Sequence, residues 1–432
     1  MDNFFLIGNI DFDRTDFAES RQVADEVMDL ILHDLRRQSP QYKGLRIDSY
    51  IRQGSSRDGL KVWKADEFDS MLEFHIEGLE KRVERMYIAS PLVSGKNIPG
   101  FCYLQITGTT PENLRKSCPE LFEEGVFQSK AGQIFISSKR LYERVFYSMV
   151  DKAIHNLTIE DASTIFRNAE TFRLTQNWNP PAINVTIELK FSGKPAKVID
   201  LDLVPAFCLS LDKTTRYKDC LLNCPIHAVC KWIDGEDFNQ DLIWSAKSTG
   251  YEIHILDVAR DDQRTLFIMT ALRIVKTYFV KTTQIAKAGS FLPPQIVTVL
   301  KSYHLKQIAF YMIYYICHKY KHFKLYSAEK ALSYFIAFLD KALEAKRLPH
   351  FFFTSSAARD MLPGFPEQSR TQQRYNLFRK IPSEALAKAK QSLSDNLILN
   401  VAFSGGGGGR DDELTSAIQD FGNAILGDDD YF

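Results

Sequence analysis

The sequence predicts an α+β protein, with a mixed strand and helix region over residues 1–255 and a helical lobe over 256–400. Three observations carry this. "INVTIELKF" alternates Val185, Ile187, Leu189 and Phe191 with polar residues, the period-two pattern of a half-buried strand. From about residue 256 onward, long apolar and aromatic stretches such as "QIAFYMIYYICHKYKHF" read as buried helices. Near the start, Asp16 and Glu19 form a capping-box pattern. Phe17, Ala24, Val27, Ile31 and Leu35 then follow on one face, predicting a long helix from about Asp16 to Arg37.

The elements follow in order. "MYIASPLV" and "FCYLQITG" read as strands, and "SSKRLYERVFYSMVDKA" as a serine-capped helix over 137–153. "INVTIELKF" is followed, after a Gly-Lys-Pro turn, by "AKVIDLDLVPAF" as its hairpin neighbour. Residues 401–432 begin in "SGGGGGRDDE" and read as a flexible acidic tail. Leu414, Ile418, Phe421 and Ile425 nevertheless share one face of a short helix there, suited to docking on a basic surface.

Composition narrows the function classes. The chain has 432 residues, 45% hydrophobic and 25% charged, with 54 basic and 54 acidic side chains. Such a balance excludes a uniformly basic nucleic-acid protein but leaves local patches open. Seven cysteines in a chain of this length form no disulfide scaffold. The opening "MDNFFLIGNIDFDR" lacks the pattern of a secretory signal, and no run of eighteen apolar residues occurs. The expectation is a cytoplasmic protein with no membrane span.

"QGSSRDGLKVWKADEFDSML" concentrates the chemistry. On a strand, Glu67 and Asp69 project together while Phe68 turns into a core. Two such carboxylates repel unless a cation lies between them, and Mg²⁺ suits one or two carboxylates plus phosphate oxygens. A third carboxylate on a neighbouring strand would complete a two-metal site, with Asp200 and Asp202 of "VIDLDLVPAF" as candidates. Gly54 lets backbone N–H groups approach a triphosphate, and the Ser55 hydroxyl adds a donor.

This pattern resembles the nucleotidyltransferase core of cyclic GMP–AMP synthase and the animal cGAS-like receptors. The resemblance implies a nucleotidyltransferase core joined to the helical lobe, with the active site in the cleft between them. It implies Gly54 and Ser55 as the triphosphate clamp, and Glu67, Asp69 and Asp202 as the triad holding Mg²⁺ or Mn²⁺. Asp202 is preferred to Asp200 because it directly precedes "LVPAF". "ALRIVKTYF" is similar to the family helix whose lysine holds a nucleotide phosphate, here Lys276. "LKSYHLKQIAF" is similar to the family segment in which Ser302 would contact phosphate and Tyr303 would stack on a base. The implied reaction joins two nucleoside triphosphates into a cyclic dinucleotide with release of pyrophosphate, in innate immune and antiviral signalling.

Two departures bear on specificity. Where the family carries Trp-Arg-x-Ser-Phe, this chain reads "IWSAK", with Ser245 in place of the arginine and Lys247 on the same strand face. The zinc loop of the vertebrate DNA sensor has no counterpart in "LDVARDDQRTLFIMTALRIVK", which contains no Cys or His. A separate cluster, Cys220, Cys224, His227 and Cys230, has zinc-ligand types but the spacing of no common finger, so zinc is not expected.

Residues 271–330 carry ten Lys or Arg against one acid, Glu329. With Arg36, Arg37 and Lys43 near the first helix, and Lys281 and Lys287 in the lobe, they suit a groove tracking a phosphate backbone. Double-stranded RNA is the expected activator, in preference to double-stranded DNA, with dimerisation on the nucleic acid as a further expectation. The competing classes are a non-catalytic nucleic-acid-binding family member and a template-free polymerase.

Overall fold

The computed structural model describes residues 14–62, 66–90, 96–157, 169–209, 215–217, 220–222, 226–231, 240–289, 292–362, 376–395 and 412–426. It has the α+β architecture that the sequence predicts. The first region is built on one eleven-stranded mixed sheet, and the second is helical.

Helix α1 (Arg14–Gln38) buries Ala24, Val27, Ile31 and Leu35, the face that the sequence marks as apolar. The strands that follow are β1 (Leu45–Gln53), β2 (Glu67–Ile76), β3 (Val83–Ser90), β4 (Lys96–Ile106), β5 (Phe127–Lys130) and β6 (Gln133–Ile136), with a short helix α2 (Gly54–Arg57) between β1 and β2. Ser137 caps the next helical run by accepting from the Arg140 backbone N–H. A wider, π-helical stretch over Leu141–Phe146 then leads into α3 (Tyr147–Leu157), which packs against α1. Strands β7 (Ala169–Asn179), β8 (Ala182–Phe191), β9 (Lys197–Leu209), β10 (Ile226–Cys230) and β11 (Ile243–Lys247) complete the sheet.

Strand β9 is the axis of the sheet. It pairs in parallel with β2 along one edge, and antiparallel with β8 and β10 along the other. Phe68, Leu72 and Phe74 of β2 and Leu201, Leu203 and Phe207 of β9 face the main core, with α1 and α3 beneath. The Phe74 ring lies 4.8 Å from Phe146 and 5.4 Å from Phe207, between centroids. The alternate residues form the opposite face, where Met71, Ala206 and Val229 make a small separate apolar cluster. A sheet with one face sealed by helices leaves the other to carry chemistry.

The helical region comprises α4 (Thr249–Ala259), α5 (Gln263–Lys287), α6 (Ser302–Met312), α7 (Ala328–Glu344) and α8 (Ser383–Asp395). The sequence boundary at 255/256 falls inside α4, which starts directly after β11. Asp412–Leu426, placed by the sequence reading in a flexible tail, forms helix α9. Its residues Ala417, Phe421 and Ile425 are fully buried. The Phe421 ring packs against Phe338 at 5.0 Å and Tyr311 at 5.0 Å, while Asp420 accepts from Lys319 Nζ at 2.5 Å and the Tyr320 hydroxyl at 2.6 Å. The apolar face that patterning marked is therefore covered by the aromatic wall of the helical region. Residues 401–411 lie outside the described residues.

Candidate active site

The parallel pairing of β2 with β9 sets Glu67 opposite Asp200 and Asp69 opposite Asp202. Glu67, Asp69 and Asp202 each offer a carboxylate oxygen, and these oxygens lie within 4.8 Å of one another. Burial raises the Asp69 pKa to about 7, and the neighbouring charges of Glu67 and Asp202 add to the shift. Burial likewise raises that of Asp202, against a hydrogen bond from Asn184 that lowers it. Three acidic oxygens gathered around the half-buried Asp69 and Asp202, with Glu67 at the exposed edge, repel one another, and this is a donor set that a hard divalent cation satisfies. The residues fit Mg²⁺ or Mn²⁺.

Asp200, the alternative third acid, accepts from the Thr186 hydroxyl at 2.7 Å. Asp202 accepts from Asn184 Nδ2 at 3.0 Å, and Asn184 Oδ1 in turn accepts from Asn177 Nδ2 at 3.0 Å. Sequence reasoning missed this relay. Its signal was present, since Asn184 and Thr186 are the polar members of "INVTIELKF" and so face away from Val185 and Ile187.

Gly54 follows β1 with φ +74°, and a Cβ there would lie 2.7 Å from Asp69 Cγ and nearer still to Oδ2. Backbone thus passes directly over the Asp69 carboxylate, which no side chain would permit. Ser55 follows in α2, half-buried. Arg57 ties α2 to α4 through paired contacts with Asp257 at 2.8 and 3.3 Å.

Several cations converge on this turn. Lys61, nearly buried, donates to Glu67 Oε2 at 3.1 Å. Lys276 of α5 is 6% exposed and donates to the Leu60 carbonyl at 2.7 Å, with its pKa lowered to about 8 by burial and then by Lys306. Lys306 of α6 bridges Asp58 at 2.6 Å and Glu252 at 2.8 Å. Burial opposes its charge, but Glu252 and Asp58 outweigh that and raise its pKa. Lys61, Lys306, Glu252 and the Arg57–Asp257 pair were not singled out by sequence reading. Lys306, Glu252 and the Arg57–Asp257 pair depend on partners far along the chain, whereas Lys61 lies only six residues before Glu67 and Lys306 sits inside the "SYHLK" segment.

Ser302 and Tyr303 are exposed in the first turn of α6. The Tyr303 hydroxyl lies 2.5 Å from His350 Nε2, while His350 Nδ1 accepts the Phe352 N–H at 3.2 Å. Burial pushes the His350 pKa down to about 3. The ring is therefore neutral, and its Nε2–H, assigned from this network, donates to Tyr303. Ser245 and Lys247 lie on one face of β11, and burial, followed by Lys231, lowers the Lys247 pKa to about 8.

The residues expected at a nucleic acid are placed less uniformly. Arg36 donates to the Ile47 and Asp48 carbonyls, and Arg37 pairs with Asp34. Lys43 donates to the Lys116 carbonyl at 3.3 Å. All three remain exposed, as is Lys287, whereas Lys281 is half-buried. No described helix is long and apolar enough to cross a membrane.

The suggested zinc cluster does not assemble as spaced. His227 and Cys230 are three apart on β10, so they point to opposite faces. His227 meets Glu73, while Cys230 Sγ donates to the Ser138 carbonyl in the core. Cys224 and the side chain of Cys220 lie outside the described residues.

Part of the chain is similar to known proteins. Residues 56–256 match the Mab-21 protein nucleotidyltransferase domain. The chain is also 26% identical over 198 residues to a cyclic GMP–AMP synthase-like receptor of Tribolium castaneum, a segment that covers 46% of each chain. The matched part thus spans less than half of that relative. Together these matches make the sheet region similar to the nucleotidyltransferase domain of Mab-21 and cGAS-like proteins.

Proposed function

We propose that this protein is a nucleic-acid-activated nucleotidyltransferase, responding to double-stranded RNA, that makes a cyclic dinucleotide from two nucleoside triphosphates in cytoplasmic innate immune signalling. The observation that carries the reading is the β2–β9 register, which gathers Glu67, Asp69 and Asp202 beneath the backbone of Gly54.

Glu67, Asp69 and Asp202 would hold the divalent cation, which when bound lowers the pKa of an attacking hydroxyl and offsets charge on the leaving pyrophosphate. The chain's own residues do the rest. N–H groups and the hydroxyl of the Gly54–Ser55 turn bind triphosphate oxygens, and Gly54 keeps that turn against Asp69. Asn184 orients Asp202. The Lys276 ammonium has donor positions beyond the one used by Leu60, and burial, followed by Lys306, lowers its pKa to about 8, so a phosphate beside it would favour its charged form. His350 fixes the Tyr303 ring at the start of α6, where a base can stack on it. Two successive transfers in one cleft, each releasing pyrophosphate, close the ring.

The test is incubation of the purified protein with four labelled ribonucleotides and Mg²⁺ or Mn²⁺, alone, with double-stranded RNA, or with double-stranded DNA. Phosphatase treatment and chromatography follow. A phosphatase-resistant small product with RNA is expected. A product with DNA alone would reassign the activator, elongation of a primer would indicate a polymerase, and duplex binding without product would sink the catalytic reading.

A further inference from the structure

The sheet face that carries the triad carries a second polar cluster further along. Passing down β2 from Asp69, the residues on this face are Met71 and then Glu73, about 13 Å from Asp69 at the rise of a strand. On β9 the same face shows Val204, Ala206 and Cys208 beyond Asp202, and on β10 it shows Val229 and His227. Cys208 and His227 are direct cross-strand partners. Met71, Ala206 and Val229 pack together between the two polar clusters and separate them.

Glu73, Cys208 and His227 each offer one donor atom, and these atoms lie within 4.8 Å of one another. His227 is fully buried, with Nε2 2.7 Å from Glu73 Oε1. The other Glu73 oxygen accepts from the Ser49 hydroxyl at 2.5 Å. His227 Nδ1 is buried without a hydrogen-bond partner among the described residues. Carboxylate oxygen, imidazole nitrogen and thiol sulfur on three adjacent, register-locked strands form a mixed donor set. A hard cation would not select the sulfur, whereas a borderline-soft one takes all three donor types.

We propose that Glu73, Cys208 and His227 form a binding site for a borderline-soft divalent cation of the zinc class, distinct from the carboxylate triad and joining β2, β9 and β10. Binding through sulfur releases the Cys208 thiol proton to solvent. Binding at Nε2 uses the neutral imidazole with its proton moved to Nδ1, so Glu73 and His227 separate from hydrogen-bond contact to ligand spacing. The Glu73 oxygen that accepts from Ser49 keeps that partner. Because β2 and β9 also hold Asp69 and Asp202, the bound cation would fix the far end of the register on which the triad depends.

Cobalt(II) tests this on the full chain, because a cobalt–thiolate bond gives a near-ultraviolet charge-transfer band that carboxylates do not. One equivalent should produce the band in the wild type, excess Mg²⁺ should leave it, and zinc should remove it. The band should be absent from Cys208→Ser and His227→Gln and kept in Asp202→Asn. Zinc should also raise the melting temperature of the wild type but not of Cys208→Ser, so the proposal can be checked even if one variant folds poorly. Absence of the band in the folded wild type, or its survival in Cys208→Ser, would overturn the proposal and leave a hydrogen-bonded Glu–His pair beside an inert thiol.

Discussion

Replacing Gly54 with alanine probes the closest approach in the site. The residue has φ +74°, a conformation that costs an L side chain roughly 1–2 kcal/mol. The added Cβ would also lie 2.7 Å from Asp69 Cγ and closer still to its oxygen, so either the carboxylate or the turn must move. Overpacking of this kind costs about 1–3 kcal/mol, giving a total of about 2–5 kcal/mol. Gly59 supplies the control within the same loop. It too has positive φ, at +70°, but the nearest atom to its added Cβ is the Arg260 guanidinium at 3.7 Å. Gly59→Ala should therefore cost only the backbone part. Denaturant unfolding of both variants measures the difference, and nucleotide turnover measures displacement of Asp69, for which roughly a hundredfold loss is expected in Gly54→Ala. If Gly54→Ala matched Gly59→Ala within about 0.5 kcal/mol and kept its activity, the close approach would have no consequence and the reasoning would fail.

Other perturbations follow from the same geometry. Lys306→Met leaves Asp58 and Glu252, 5% and 8% exposed, without their shared cation. Unfolding should show a loss of about 3–5 kcal/mol at neutral pH, and a variant as stable as wild type would contradict the bridge. Because the folded pKa of Lys276 is lowered to about 8, its charge is present below that pH and lost as pH rises through it, well before an ordinary lysine would titrate. Nucleotide KM should therefore climb above about pH 8 in the wild type but not in Lys276→Arg, and identical profiles would remove Lys276 from phosphate binding. Phe421→Ala deletes the ring that anchors α9, a change worth about 3–5 kcal/mol for a buried aromatic. Amide exchange over 412–426 should speed up while β2 and β9 stay protected, and unchanged exchange would refute the docking.

Legibility in the sequence tracked the range of the interaction. Glu67 and Asp69 were readable because strand period alone puts them on one face, and Asp202 because an acid inside an apolar strand needs a reason. Their meeting depends on the parallel register of β2 and β9, which local pattern does not encode. Asn184 was visible as a polar position but not as a ligand of Asp202, because its partner lies across a hairpin. For His227 the neighbours in sequence are not its neighbours in space. Strand geometry turns Cys230 into the core and brings in Cys208 and Glu73 from two other strands. The apolar stripe of α9 was likewise legible, whereas the wall of Tyr311, Tyr315 and Phe338 that receives it exists only once three helical segments have packed.

Pyrophosphate release by Asp69→Asn, set beside the wild type under the activating condition, tests the central claim most directly. The substitution removes a charge that its two neighbours repel, so the variant should fold and melt no lower than the wild type. The account predicts pyrophosphate and cyclic product from the wild type and neither from the variant. Undiminished release by a folded Asp69→Asn protein would contradict it.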